Sequence, residues 1–416
     1  MNILLPPTVR RSYFLGGCFL LAAIYLVLVS TDFLATRFSS GPDLTRLRVS
    51  AWLEPGNAQY RHTMGRYLLI ARGDPAAAIE QYRAAVRLNP HDSRYWFDLA
   101  AAYQIAGNVP QQAAAIERAI QADPTKPDAA WEAGNFFLLR GENDRALREF
   151  RVVLENDSSM APAALEMCWR ITRDVDALLR QAIPPKPEVY LVLIELLASR
   201  KENQAAARVW SALVELGQSF EPRRAFGYVN YLLLQRQPDQ ARVAWQQMAP
   251  LCGLTAYLPS PPNLLVNSRF DLDVLNEGLD WRYQIQPHVK LTLDPNEFES
   301  GNRSLSIAFD GQGVKDAGIY QFIPVQPETA YEFSAHFKSD DIQGAGGPRF
   351  SLQDAYTETS YLLTDELKNH SIWRAVGGRF QTGPDTRLLV LRLVRVPPRS
   401  PIRGKLWIDS LQLIQK

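Results

Sequence analysis

The 416-residue sequence holds only three cysteines, Cys18, Cys168 and Cys252, far apart and without CxxC spacing. That excludes a disulfide framework and a cysteine-built zinc site, and it leaves the redox compartment open. Histidine is equally sparse. His62, His91, His288, His336 and His370 form no HExxH or HxH pair, so a metal centre of that type is excluded. Charge is balanced, with 45 Lys+Arg against 44 Asp+Glu and a formal net charge of +1. No basic run with interleaved aromatics occurs, which argues against a nucleic-acid partner. GxSxG, P-loop and Rossmann glycine patterns are absent, and the glycines at Gly311 and Gly344 read as turns between strands. Asp365 and Glu366 are adjacent and so give no opposed acid and base. The chain is expected not to be an enzyme.

What is present begins with "YFLGGCFLLAAIYLVLVST", Tyr13 to Thr31, uncharged and about long enough to cross a bilayer. Arg10 and Arg11 precede it; Asp32 follows, with Arg37 beyond. This asymmetry places 1–12 in the cytoplasm and the bulk of the chain on the periplasmic or extracellular side. Two readings remain for 13–31, a retained transmembrane anchor or a cleaved signal peptide. Ser30 could precede a cut, but Leu28 fits the small-x-small pattern poorly, which favours the anchor. "LGGC" looks like a lipoprotein box, but no apolar segment precedes its cysteine.

From 43 to 250 the chain repeats itself. Gly73, Gly107 and Gly141 are spaced by 34 residues, as are Pro90 and Pro124. Ala78, Gln112 and Ala146 share one column, Tyr82, Ile116 and Phe150 the next, and Ala85, Ala119 and Val153 a third. The clearest unit is "SRYWFDLAAAYQIAGNVPQQAAAIERAIQADP". Its Trp96, Leu99, Ala100, Tyr103, Gly107, Ile116, Ala119 and Pro124 resemble the signature of the tetratricopeptide repeat, from which Gln112 departs. In physical terms, Trp96, Leu99 and Tyr103 make one apolar face and Ala100 and Ala119 permit close helix approach. Gly107 allows the turn and Pro124 ends the second helix. About five to six units are expected, including a shortened one at 161–183, stacked into a right-handed superhelix. "LTRLRVSAWLEPGN" reads as the second half of a unit, capping the stack near the membrane. The resemblance implies a concave groove for a partner protein, faced by Phe97, Gln104, Trp131, Asn135 and Leu138. For Phe97 and Trp131 the alternative is packing against a neighbouring unit. The lysines of the subclass that grips a C-terminal carboxylate are missing, since Phe97 and Ala101, then Trp131 and Asn135, occupy those offsets.

"YLPSPP", within the expected linker 251–262, breaks the helical pattern. Beyond it the hydrophobic period falls to two, as in "HVKLTLD", "SLSIAFD" and "YEFSAHF". About eight or nine strands over 263–416 predict an antiparallel sandwich of jelly-roll type. "NLLVNSRFDL", read as the first strand, then "GLDWRY", "ESGNRSLSI", "IYQFIPVQPETAYEFSAHFKSD", "SIWRAVGGRF" and "GKLWIDSLQL" resemble, in that order, carbohydrate-binding modules of the galactose-binding-like group. The fold class expected is therefore multidomain: a transmembrane helix, an all-α tetratricopeptide superhelix and an all-β jelly-roll sandwich.

That resemblance implies a glycan site and a structural calcium ion. Trp281, Trp373 and Trp407 stand where the group's tryptophans are largely structural, so they are expected in the core. The loop 353–371 offers Tyr356 and Tyr361 as stacking faces and Gln353, Asp354 and Asn369 as hydrogen-bonding groups; a satellite core is the alternative for the tyrosines. Asp271 and Asp409 match the calcium positions, with backbone carbonyls at Gly301 and Asn302 as further ligands; two capping or solvated aspartates are the alternative. The combination implies a membrane-anchored scaffold in bacterial cell-envelope or exopolysaccharide assembly, binding a protein through the groove and a polysaccharide through the sandwich. The rival is a pure interaction subunit whose sandwich has lost sugar binding.

Overall fold

The computed structural model describes residues 7–39 and 43–416, so the expected cytoplasmic stretch 1–12 lies partly outside the described residues. Fourteen α-helices among these residues precede ten strands. The chain divides into two compact units, Met1–Pro184 and Pro185–Lys416. The boundary falls within the helical region.

In the first unit, α1 (Pro7–Ser39) contains the apolar run and continues past it. Among the described residues it is the one helix long and apolar enough to cross a membrane. Its last turns are not free. Ala35 is fully buried in a small core with Leu47, Ala51, Tyr60 and Met64. The end of α1 thus supplies the missing partner helix for α2 (Leu44–Leu53), the half-unit expected from the sequence. Paired helices follow: α3 (Ala58–Arg66) with α4 (Pro75–Leu88), α5 (Ser93–Ile105) with α6 (Val109–Ala122), and α7 (Pro127–Leu139) with α8 (Asn143–Asn156). The shortened unit is α9 (Ala161–Ile171) and α10 (Val175–Gln181).

Local chemistry fixes these boundaries. Asp74, Asp92 and Asn108 accept a backbone N–H of the first helical turn, satisfying a donor that the helix cannot. Gly73, Gly107 and Gly141 all take positive φ, the left-handed conformation that ends a helix most cheaply at glycine. One irregularity interrupts the series. α3 runs on as a π-turn over Tyr67–Ala71. The small residue that lets Tyr82 pack is Gly65, eight positions before Gly73; Ala100 and Gly134 stand seven before Gly107 and Gly141. The extra residue is absorbed in the π-turn. A Cβ at Gly65 would lie 2.7 Å from the Tyr82 ring, and one at Gly134 3.0 Å from Phe150.

The second unit opens with α11 (Pro187–Ser199), α12 (Asn203–Glu215), α13 (Pro222–Leu234) and α14 (Pro238–Leu251). Here the left-handed turn residue is not glycine: Lys201 and Arg236 have φ of 59° and 57°. The turn hydrogen bonds are the same. Glu202 N donates to Leu197 O and Gln237 N to Leu232 O, both at 2.9 Å, as Glu142 N does to Phe137 O. A non-glycine residue in this conformation is strained. Lys201→Gly is expected to raise the stability of this unit by about 0.5–1 kcal/mol, measured by urea denaturation.

The sandwich is two five-stranded antiparallel sheets, ordered β1-β4-β9-β6-β7 and β2-β3-β10-β5-β8. The strands are β1 (Arg282–Tyr283), β2 (Val289–Asp294), β3 (Ser304–Gly313), β4 (Asp316–Pro324) and β5 (Ala330–Gly344). β6 (Pro348–Asp354), β7 (Ser360–Leu363), β8 (Arg374–Gln381), β9 (Leu388–Arg395) and β10 (Pro401–Gln415) complete them. Alternate residues of both sheets meet in one core that includes Ile307, Phe333, Phe350 and Leu391.

Two sequence expectations are corrected. "NLLVNSRFDL" is not a strand beyond a single bridge of Asn263 to Ile414. Asn267 and Phe270 take positive φ, and the Asn267 amide closes a loop onto both the N–H and the carbonyl of Leu272. The segment 353–371 is not an open loop, because β6 and β7 pair across it. The proline-rich segment is also held. The Trp245 indole donates to Tyr257 O at 3.0 Å and the Tyr257 hydroxyl to Asp273 O at 2.8 Å.

Candidate functional site

The groove residues lie on the first helices of two adjacent pairs. Phe97 and Gln104 are seven apart on α5; Trp131, Asn135 and Leu138 share one face of α7. Gln104 is exposed and the other four are half-buried. Trp131 sets its edge against Phe150 of the same helical pair, with centroids 5.5 Å apart at 62°. It therefore packs within its own unit and keeps a half-buried outer edge. The Asn135 amide donates to Trp131 O at 2.9 Å, which ties it to the turn below.

A feature not singled out from the sequence lies beside Phe97. His62 on α3 is buried, and its Nε2 stands 2.5 Å from Asp98 Oδ2. The imidazole leans on Tyr95 and Tyr82, with centroids at 4.7 and 5.6 Å. Burial first, and then the Asp98 charge, push the Tyr82 hydroxyl well above its usual pKa. Asp98 is half-exposed while its partner is not, so the pair reaches the surface through the carboxylate. The only hint in the sequence was a histidine and an aspartate in successive first helices.

In the second unit, α11 and α13 enclose a cleft of about 660 Å³ lined by Ile194, Glu195, Arg223, Arg224, Tyr228 and Tyr231. Gly227 leaves its floor open, for a Cβ there would meet nothing within 4 Å. Arg224 reaches Glu195 at 3.2 Å, and Arg223 is exposed.

Three of the five expected glycan residues, Asp354, Tyr356 and Tyr361, are engaged within the protein. The Tyr356 hydroxyl donates to Leu233 O of α13 at 2.7 Å, and the Arg236 guanidinium lies 5.3 Å from its ring centre. Burial pushes the Tyr356 hydroxyl up to about 12. Asp354 is buried and accepts from the N–H groups of Tyr356 and Thr357 at 2.7 and 2.8 Å. Burial works against this carboxylate, yet hydrogen bonds from Thr386, Thr357 and Tyr356 together hold its pKa below the usual value. Tyr361 shares a hydrogen bond with Thr386 at 2.7 Å, accepts from Gly383 N at 3.0 Å and stacks on Phe380 at 6.0 Å. Gln353 is half-buried and Asn369 exposed, with φ of 63°. The outer face of the first sheet instead carries aromatics that the sequence reading passed over. Tyr320 and Phe322 meet edge-on at 5.5 Å, with Arg392 over the first and Arg282 over the second.

Trp281 is buried against Phe270 at 5.0 Å, with its N–H on Asn267 O. Trp407 is buried as well, and its N–H reaches Asp294 at 2.9 Å. That hydrogen bond, ahead of the Lys405 contact, draws the Asp294 pKa down to about 2. Trp373 is only half-buried.

The residues implied for calcium meet around one loop, 299–302, but their carboxylates are taken up by N–H donors and a guanidinium. Asp271 accepts from Asn302 N at 2.8 Å and pairs with Arg269 at 2.9 Å. Asp409 is buried and accepts from Glu299 N and Ser300 N at 2.8 and 2.9 Å. The loop through Gly301 passes so near that a Cβ there would lie 2.2 Å from Asp271 Oδ1. These carboxylates face N–H donors, whereas Ca2+ takes six to eight oxygens. No group of three or more His, Cys, Asp or Glu side chains suited to a metal occurs among the described residues. The donor set does not fit the ion.

Comparison with known proteins agrees with the helical part of this geometry. No curated protein matches the chain. Among solved structures it is similar to the CBM4 module, at 13% identity over 36% of this chain and 99% of that one, TM-score 0.29. It is similar to the CBM22-1 xylan-binding domain of Paenibacillus barcinonensis Xyn10C, at 14% identity over 36% and 91%, TM-score 0.25. It is also similar to pilF of Pseudomonas aeruginosa, at 15% identity over 53% and 93%, TM-score 0.27. The tetratricopeptide repeat model matches residues 67–127 and 112–161, and the chain carries tetratricopeptide repeats there.

Proposed function

We propose that the chain is a membrane-anchored, non-enzymatic scaffold whose repeat groove takes an extended segment of a partner protein and whose sandwich closes the last helical pair. The observation that carries this reading is the row on α5 and α7 within matched tetratricopeptide repeats, where Gln104 is exposed and Phe97 and Trp131 are only half-buried. Stacked repeats leave an apolar end that needs a cover. On this reading the sandwich is that cover: a Cβ at Gly278 would lie 2.0 Å from the Trp245 ring, and Asn230 bonds Glu277 at 2.8 Å.

A photo-crosslinking residue at Gln104 of the full chain in cells tests it. A discrete crosslinked polypeptide is expected, and Trp131→Ala should reduce its yield about tenfold, the scale of one well-packed interface anchor. The same crosslinker at Gln121, on the second helix α6, should give none. Equal yields at both positions would refute a groove site.

A second reading, a glycan on the sandwich, is favoured by the half-buried Tyr320 with the Arg392 guanidinium over its ring rather than by Tyr356 and Tyr361. Affinity electrophoresis of the full chain in polysaccharide gels separates the two: retardation abolished by Tyr320→Ala supports the glycan. Unretarded migration in every gel leaves the scaffold role alone.

A further inference from the structure

The geometry points to α2 as a membrane-surface element, with Trp52 seated among the phospholipid headgroups on the side where the chain emerges. This rests on the reading of α1 as a retained anchor. Trp52 is 77% exposed, whereas the other tryptophans are all buried or half-buried. Its height follows from one hydrogen bond. The Ser50 hydroxyl donates to Ala35 O at 2.8 Å, buried between α1 and α2. Helix α1 ends at Ser39 and α2 begins at Leu44; with Ser50 on Ala35 the two run antiparallel, so a residue two positions after Ser50 stands level with one two positions before Ala35. Trp52 is therefore level with Phe33, about 3 Å along the axis beyond the uncharged run that ends at Thr31.

That is the depth at which tryptophan and tyrosine concentrate in membrane proteins, their rings apolar and their N–H or O–H groups wet. The surrounding chemistry agrees. Phe33, itself 66% exposed, is at the same level on α1. On α2 the buried face is Leu47, Ser50 and Ala51. The opposite face carries Val49 and Trp52, with Arg48 one turn from Trp52. A guanidinium there meets headgroup phosphates bidentately. The buried α1–α2 contact makes the arrangement rigid. It would hold the first repeat at a fixed height on the bilayer rather than on a loose tether.

The test uses the full chain in liposomes containing brominated phospholipid, comparing the wild type with Trp52→Phe. The exposed ring makes no core contact, so the variant keeps the fold. The emission difference between the two proteins isolates Trp52. That difference is expected to be lost when bromines lie near the headgroups and to persist when they lie near the chain ends. Quenching that is equal in both proteins while the chain still floats with the liposomes overturns the docking of α2 and leaves the anchor standing. Stronger quenching from the chain ends overturns the headgroup depth. A chain that does not float overturns the anchor reading and this inference with it.

Discussion

Trp245→Ala is expected to destabilise the second unit by about 3–5 kcal/mol, the range for removing a fully buried tryptophan. The indole is 1% exposed. It stacks on Phe226 at 5.9 Å, donates to Tyr257 O at 3.0 Å, and lies against Gly278, whose φ is +60°. One side chain thus joins α13, α14, the proline-rich segment and the loop before β1. Its loss should do more than lower stability. Urea denaturation followed by tryptophan emission should change from one transition for α11–α14 and the sandwich together into two, and trypsin should cut near Arg242 or Arg282 before the sandwich unfolds. A single transition shifted by less than about 1 kcal/mol, the size of an ordinary surface change, would mean that the two parts are held together by other contacts.

The second large effect concerns pH. Asp280 is fully buried in the same loop. One oxygen accepts from Leu275 N at 2.8 Å and the other has no partner. Burial, opposed only by backbone N–H groups of Leu275 and Trp281, raises its pKa from 3.8 to about 7. The folded state therefore holds a proton that the unfolded chain has released once the pH passes its ordinary value. Stability from this group is fully present below about pH 4 and is lost as pH rises through 7. The full window corresponds to about 4 kcal/mol at most, by the usual value per pKa unit. Asp280→Asn keeps an acceptor for Leu275 and cannot ionise. The variant is expected to match the wild type near pH 4, to exceed it at pH 8, and to show a flat melting profile between. A wild-type profile that is already flat over that range would show that Asp280 stays ionised in the fold.

Much of the helical architecture was legible because each repeat spends the same residue types on the same geometric problem. Gly107 and Gly141 terminate helices, and Ala119 and Ala146 sit where helices touch. The signal faded after residue 184 for a definite reason: Lys201 and Arg236 hold the left-handed turn that glycine holds earlier. A glycine search therefore passes over them, although the hydrogen bonds are unchanged. In the sandwich, alternation located the long strands. It misled at Leu265, Val266 and Phe270, which are buried but reach the core from a looped backbone. Hydrophobicity marks burial, and the φ of Asn267 that bends the chain leaves no periodic trace. The glycan candidates show the deeper limit. Tyr356 has the composition of a stacking platform, but its hydroxyl is bound by a carbonyl 123 positions away. Nothing local announces such a partner.

The π-turn at Tyr67–Ala71 also bears on how this helical array tolerates change. In a straight α-helix one added residue rotates everything beyond it by about 100°. Every later contact would then face the wrong neighbour. Here the slip is taken up within a single widened turn, between a glycine packed on Tyr82 and the glycine that ends the helix. From Gly73 onward the 34-residue interval resumes as though nothing had been added. The array behaves as a text with a reading frame: an inserted letter is confined to one word, and the phase of all that follows is kept.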